Sequence, residues 1–248
     1  MSSQVAITID VEWAHPEVLD FAVNELDCRN LQATFFCTHA GIELTGHERA
    51  LHPNYRRHGN SLLEGRGQAM AASKDIELYQ YIARSTRAFC PEAVGSRSHN
   101  LFWDSALASI YRDQGLKYTS NMLLPLVPGL EPLEGVKGLV EFPIYYMDHW
   151  DLDEGVTGFR LDSLRLERDG LMVLDFHPNL IFINAQTAAQ YAASKPYYHD
   201  PGRLKALRAA GRGVLTLFRE VLDFLVDTKI HPVLLRDVAA SRRKAAAA

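Results

Sequence analysis

Side chains that could perform acid–base and metal chemistry follow several predicted strands, at the point where each strand ends. Because the carboxyl ends of parallel strands meet at one edge of a sheet, we expect these side chains to converge on a single polar site. The segments concerned are Asp10-Val11-Glu12, His52-Pro53-Asn54, Arg97-Ser98-His99, Asp148-His149-Trp150 and Asp175-Phe176-His177.

Asp10 and Glu12 are separated by one residue, so on a strand they share one face. Two neighbouring carboxylates can divide the work of a hydrolase, one binding a divalent cation and the other acting as general base. His52 and Asn54 also share a face, and His58 lies one loop further along, so further ligands are available for the same cation. Taken one at a time, such residues are equally typical of strand ends, helix caps and the protein surface.

Arg97 is suited to hold one of these carboxylates ionised and oriented. His177 is the best candidate for a general acid, because the reference pKa of histidine lies near neutrality. Asp175 is on the same face of the strand and could orient that imidazole. Tyr145 and Trp150 could form a wall on which a sugar ring stacks, although a single aromatic residue is more typical of a core.

Short apolar runs alternate with longer helical patterns around these residues. Residues 5–9 and Gly170–Phe176 are typical of buried strands, 203–227 has the apolar spacing of the longest helix, and 232–235 predicts a last strand. This alternation predicts an α/β protein with a parallel sheet and helices outside it, either a barrel or a doubly wound sheet. The chain has no glycine-rich phosphate-binding motif, so a nucleotide cofactor is not expected.

The 248 residues carry 26 basic and 30 acidic side chains, a net charge of −4. The basic residues are scattered except at the C-terminus, which argues against nucleic acid as a partner. No apolar run reaches the length of a membrane helix. We predict one domain over residues 1–240 and a flexible tail over 241–248. The N-terminus lacks the basic and apolar segments of an export signal, and the three cysteines lack metal or redox spacing, so we expect a cytoplasmic protein.

Taken in order, the motifs resemble those of the polysaccharide deacetylase family (NodB homology, carbohydrate esterase 4). The resemblance spans about residues 5–180, and its most specific pair is Ala-Thr-Phe-Phe followed by Gly-His-Glu. The motifs are Thr8-Ile-Asp10-Val-Glu12, Ala33-Thr-Phe-Phe36, Gly46-His-Glu-Arg-Ala-Leu-His52, Arg97-Ser-His99 and Val173-Leu-Asp-Phe-His177.

This resemblance implies a distorted (β/α) barrel of about seven strands, NodB-like, and a metal-dependent amidohydrolase. In the family the first aspartate is the catalytic base, a second acid and the first histidine of the next motif bind the metal, and an arginine holds the base. A late histidine is the general acid, with a leucine near the acyl pocket. These roles fall on Asp10, Glu12, His52, Arg97, His177 and Leu174 respectively.

The chain departs from the family pattern at the second metal histidine, where Arg56 stands. Asn54, His58 or His99 could supply the missing ligand, and the sequence does not choose among them. His99 also replaces the usual proline after Arg97, and Glu12 is longer than the usual aspartate by one methylene.

The expected reaction is removal of an N-acyl group, chiefly N-acetyl, from a sugar with the help of Zn²⁺. An enzyme inside the cell would act on a nucleotide-linked or lipid-linked precursor of a surface polysaccharide or lipopolysaccharide, such as O-antigen. A deformylase or cyclic-amide hydrolase on the same fold and an inactive carbohydrate-binding relative remain alternatives. The helical pattern at 203–227 leaves an oligomer open, because its apolar side chains could cover either a barrel or a second copy.

Overall fold

The computed structural model describes residues 3–55 and 72–246 of the chain. The strands are β1 Ser3–Asp10, β2 Thr34–Cys37, β3 Glu48–Leu51, β4 Gly95–Ser96, β5 Tyr118–Thr119, β6 Leu133–Glu134, β7 Val140–Glu141, β8 Ile144–Met147 and β9 Gly170–Phe176. The α-helices are α1 Pro16–Asp27, α2 Ala72–Phe89, α3 Ser105–Asp113, α4 Asp148–Glu154, α5 Leu161–Leu164, α6 Pro178–Phe182, α7 Ala188–Ser194, α8 Pro201–Ala206, α9 Val214–Thr228 and α10 Leu235–Ala246. Short 3₁₀ turns cover His99–Leu101, Val136–Gly138 and Lys195–Tyr197.

The strands form one curved, mixed sheet in the order β6-β7-β5-β4-β3-β2-β1-β9-β8. The strand pairings in the described residues are parallel except that of β6 with β7. Strands β7 and β8 are close together in the sequence but lie toward opposite ends of the sheet, where β7 pairs with β5 and β8 pairs with β9. The sheet therefore curls into the distorted barrel that the sequence predicts. The described residues contain nine strands, more than the seven or so expected, because β6 adds a short antiparallel edge and one extended segment supplies both β7 and β8.

Strand β1 lies inside the sheet, between β2 and β9, and alternates between two environments. Val5, Ile7 and Ile9 pack outward against the apolar faces of α1, α6 and α9. Ala6 points into the barrel and packs with Leu235 at the start of α10, so α10 covers the amino end of the strands. The remaining inward positions of β1 are polar, and they lead to the carboxyl end of the barrel.

The longest predicted helix, 203–227, is wrong as one element, because α8 and α9 are separate. Gly211 has a φ of +84° between them, which an uninterrupted helix excludes. The Asn184 side chain then accepts hydrogen bonds from the backbone N–H groups of Leu215 and Thr216, at 3.0 and 3.3 Å, and fixes the start of α9.

The predicted last strand at 232–235 is also wrong. One backbone bond joins this stretch to β1, from the N–H of Val233 to the carbonyl of Val5 at 2.9 Å, and α10 begins at Leu235. Pro232 has no N–H to donate to a ladder. Helix α10 continues to Ala246, so most of the predicted tail is helical, and its flexibility and the domain limits stay predictions. Within the described ranges, none of the helices is both long and apolar enough to cross a membrane.

Candidate active site

A cavity of about 750 Å³ opens at the carboxyl end of the barrel. Asp10, Glu12, His99 and His177 line it, and they come from the ends of different strands. This arrangement follows from the parallel topology, since each strand delivers its last residues to the same edge. The polar side chains singled out by their position after predicted strands therefore do converge.

One group in the cavity combines a carboxylate with two imidazoles. Oε1 of Glu12 lies 3.0 Å from Nε2 of His52 and 2.6 Å from Nδ1 of His99. His52 is buried, and Glu12 and His99 are partly exposed toward the cavity. Burial opposes the charged form of Glu12, but hydrogen bonds from both histidines hold the pKa of its carboxyl well below the usual range.

These residues fit a divalent cation of the zinc type. Their candidate ligand atoms lie within 4.8 Å of one another. A tetrahedral site with metal–ligand bonds of about 2.1 Å separates its ligand atoms by about 3.4 Å, so small outward movements would make room for the ion. Two imidazoles and one carboxylate are also a donor set that zinc hydrolases use, with the remaining position open.

The proposed base occupies the interior of the barrel beside a buried arginine. Nη1 of Arg97 donates to Oδ1 of Asp10 at 2.9 Å, and the same guanidinium bonds Asp175. The Thr8 hydroxyl donates a hydrogen bond to Oδ1 of Asp175 at 3.0 Å. Oγ of Ser120 accepts a hydrogen bond from Nη2 of Arg97 at 2.8 Å. With Oδ1 so held, Oδ2 of Asp10 faces the cavity, 3.7 Å from His52.

Asp175 does not orient His177, contrary to the prediction from their shared face. Its Oδ1 is bonded to Arg97 and Thr8. Burial raises the pKa of the Asp175 carboxyl to about 7, although Arg97 opposes that change. The role of Asp175 is thus to help hold the guanidinium that in turn holds Asp10.

Asp148 is the partner of His177. Its Oδ1 lies 2.6 Å from Nδ1 of His177, and its Oδ2 accepts the backbone N–H of the same residue at 2.8 Å. Burial favours the neutral imidazole, but Asp148 overcomes it and raises the pKa of His177 to about 10. Nε2 then points at Oδ2 of Asp10 from 4.0 Å, which leaves a donor nitrogen and an acceptor oxygen facing each other.

Among the candidate ligands that the sequence left open, His99 is one whose imidazole contacts Glu12 in the structure. Asn54 also lines the cavity. His58 and Arg56 lie outside the described residues.

The three predicted substrate-binding residues do not line the cavity. Leu174 and Tyr145 are buried in the core, where Tyr145 donates to the carbonyl of Leu164 at 2.8 Å. Trp150 is partly exposed on α4. Aromatic surface is supplied instead by Trp13, Tyr191 and Tyr198.

Sequence reasoning gave no role to Asp148 or to the wall formed by residues 187–200. Asp148 directly follows β8, so its position at a strand end was the available signal. The wall contributes Tyr191, Lys195 and Tyr198 to the cavity, and the Lys195 ammonium lies 5.0 Å from the centre of the Tyr191 ring. No local motif marks this segment.

The fold of the chain is similar to the folds of solved polysaccharide deacetylases. A structure described as a polysaccharide deacetylase involved in O-antigen biosynthesis from Bordetella bronchiseptica is similar over 90% of this chain and 91% of that one, with 25% identity and a TM-score of 0.77. A polysaccharide deacetylase structure from Mycobacterium smegmatis is similar in fold over 98% and 91%, with 17% identity and a TM-score of 0.57.

The family itself follows from the sequence model that matches residues 7–195, which is described as WbmS-like polysaccharide deacetylase. The chain belongs to this family. The matched range includes Asp10, Glu12, His52, Arg97, His99, Asp148 and His177. Among curated proteins, none matches the chain.

Proposed function

We propose that the protein is a divalent-cation-dependent N-deacetylase that releases acetate from an N-acetylated sugar. The observation that carries the proposal is the presence, in one cavity, of a cation-binding group, a base and an acid. The base and the acid each have their own charged partner, Arg97 and Asp148. Because each group has a different charged partner, one carboxylate and one imidazolium can act on the same amide bond.

Glu12, His52 and His99 would hold the cation, with zinc as the expected ion. When bound, the ion would polarise the acyl carbonyl and lower the pKa of a water molecule. No nucleotide or redox cofactor is required for the reaction.

Asp10 is suited to the role of general base. Arg97 fixes one carboxylate oxygen, and Oδ2 is left on the cavity side to accept a proton from the attacking water. The oxygen of that water forms the new bond to the acyl carbon, and acetate is the product that carries it away.

His177 is suited to the role of general acid. Asp148 occupies Nδ1, so the proton available to a substrate is the one on Nε2. This proton would pass to the sugar nitrogen as the carbon–nitrogen bond breaks, and the sugar leaves as an amine. The raised pKa of His177 keeps it protonated at neutral pH.

The similar Bordetella protein is described as involved in O-antigen biosynthesis, and this supports a substrate from surface polysaccharide assembly. A nucleotide-linked or lipid-linked N-acetyl sugar is the form in which such units are built, and a cytoplasmic location stays a prediction with it. Fractionation of the native cell would test the location.

The test is acetate release from N-acetylated sugars, free and nucleotide-linked, by protein loaded with Zn²⁺, Co²⁺ or Ni²⁺. We expect Asp10→Asn and His177→Ala to lower kcat by at least about 100-fold, the usual weight of a general base or acid. Asp20→Asn and His231→Ala, at exposed positions, are the matched controls. Unchanged rates in both site variants would refute the assignment.

The same assay separates the alternatives. Release of formate from N-formyl sugars, without acetate release, would favour a deformylase. Sugar binding with neither cation binding nor turnover would favour an inactive carbohydrate-binding relative.

A further inference from the structure

The backbone that presents Glu12 is in an unusual conformation. Glu12 and Trp13 have φ values of +51° and +53°, the left-handed region that residues with a Cβ atom rarely occupy. Two such residues in succession persist only where surrounding contacts hold them. This turn directly follows β1, and it aims the Glu12 carboxylate at His52 and His99.

Most of the hydrogen bonds that hold the turn are local to β1 and β2. The N–H of Val11 bonds the carbonyl of Phe36 at 3.1 Å, and the N–H of Ala14 bonds the carbonyl of Val11 at 3.0 Å. The N–H of Trp13 donates to Oγ1 of Thr38 at 3.0 Å. These bonds fix the residues on either side of Glu12 and leave the carbonyl of Glu12 itself to another donor.

That donor is Tyr198, which is 186 residues away in the sequence. Its hydroxyl donates to the carbonyl oxygen of Glu12 at 2.8 Å. Tyr198 belongs to the cavity wall, where its backbone N–H bonds the carbonyl of Lys195 at 3.2 Å.

We propose that Tyr198 is a positioning residue for the cation site, holding the left-handed turn so that the Glu12 carboxylate stays aligned with His52 and His99. The inference rests on the proposed function for the presence of a cation, and it adds a residue outside the matched range 7–195 to the machinery of the site. Loss of the hydroxyl would let the turn relax, and the cation would lose part of its preformed carboxylate ligand.

The experiment compares wild type, Tyr198→Phe and Tyr197→Phe. Tyr197 is the neighbouring exposed tyrosine, and its ring faces Arg203, outside the cavity. Co²⁺ is titrated into each protein, and the dissociation constant and the visible absorption spectrum of the bound ion are recorded. Thermal unfolding of the cation-free proteins shows whether the fold is intact.

We expect Tyr198→Phe to weaken Co²⁺ binding about tenfold and to alter the spectrum, in line with the effect of losing a group that orients a ligand. Tyr197→Phe should bind Co²⁺ as wild type does. At saturating Co²⁺ the kcat of Tyr198→Phe should recover further toward wild type than at limiting Co²⁺, which a general loss of folding would not produce.

An unchanged dissociation constant and spectrum in Tyr198→Phe would overturn the inference. Equal weakening in both variants would overturn it as well, because the effect would then not depend on the bond to Glu12. If wild type binds Co²⁺ but releases no acetate, the proposed function fails alone and the comparison of affinities still decides the inference. If wild type binds no Co²⁺, both fail.

Discussion

Replacing Asp148 with asparagine separates the charge of this residue from its shape. His177 is buried, which by itself lowers the pKa of the imidazole, and Asp148 is the largest of the groups that raise it to about 10. Asp175 and Asp10 add smaller contributions in the same direction. The rise from the ordinary value of 6.5 corresponds to about 5 kcal/mol in favour of the imidazolium.

In Asp148→Asn the neutral amide no longer stabilises that charge. We expect the pKa of His177 to fall to about 6.5 or below, because burial is then opposed only by the more distant carboxylates. At a pKa of about 6.5 roughly three quarters of His177 is protonated at pH 6, but only about 3% at pH 8. The variant should therefore lose about 25-fold more activity at pH 8 than at pH 6, on top of any loss that is independent of pH.

The measurement is kcat/KM for acetate release from about pH 5.5 to 10.5, with saturating cation throughout. Wild type needs protonated His177, so its activity falls as the pH rises through the pKa of this group. The alkaline limb of the pH profile of Asp148→Asn should lie at lower pH than that of wild type. A cation at Glu12 would lower the pKa of His177 in both proteins. The test is therefore the difference in pH between the alkaline limbs of the two proteins.

Asp153→Asn is the matched control, because Asp153 is an exposed acid on the same helix and lines the same cavity without bonding His177. Its alkaline limb should coincide with that of wild type. If the limb of Asp148→Asn also coincides with that of wild type, His177 is not the general acid or Asp148 does not set its pKa, and the reasoning is refuted.

The remaining predictions concern the cation and the stability of the barrel. His99→Ala should weaken Zn²⁺ binding by at least about 100-fold and His58→Ala should leave it unchanged, measured by competition with a chelator; the opposite result would make His58 the ligand. Arg97→Met should lower the free energy of unfolding by about 3–5 kcal/mol in urea titrations, because two carboxylates lose their buried partner; a change near zero would contradict that pairing. Gly95→Ala should cost about 1–3 kcal/mol by the same measurement, since a Cβ atom would lie 1.8 Å from the Tyr118 ring; wild-type stability would show that the ring has room to move.

The position of the chemical groups at strand ends was predictable because it follows from local sequence. Apolar runs define the strands, parallel pairing brings their ends together, and Asp10, Glu12, His52, Arg97 and His177 meet in the structure as a result. Family resemblance assigned their roles, and geometry now supports a way for them to act together.

The contact between His99 and Glu12 was not predictable, because it depends on how the loop after β4 turns back toward Glu12. His99 and Asn54 both follow strands that end at the cavity, and the 3₁₀ turn at His99–Leu101 brings the His99 imidazole into line with Glu12. The bond from Tyr198 to Glu12 has no sequence pattern either, since it joins a loop to a backbone carbonyl.

Tyr145 was predicted to form part of a sugar-stacking wall, and its absence from the cavity has a specific structural cause. Pairing between β8 and β9 shifts register between Ile144 and Tyr146, so the simple alternation of faces is broken at Tyr145. Tyr145 and Tyr146 both pack in the apolar cluster that contains Val5, Ile7 and Ile9. An irregularity of this kind leaves no mark in the apolar pattern, because both side chains are large and aromatic.

The separate partners of Asp10 and His177 explain how a base and an acid can stand 4.0 Å apart without cancelling each other as a salt bridge. Arg97 is wholly buried and occupies one oxygen of Asp10, while Asp148 occupies one nitrogen of His177. Each group is thereby turned so that its remaining polar atom faces the cavity. An amide seated on the cavity side of those atoms would meet an acceptor for the proton of water and a donor for the departing nitrogen, which is the arrangement that the proposed hydrolysis of an N-acetyl group would use.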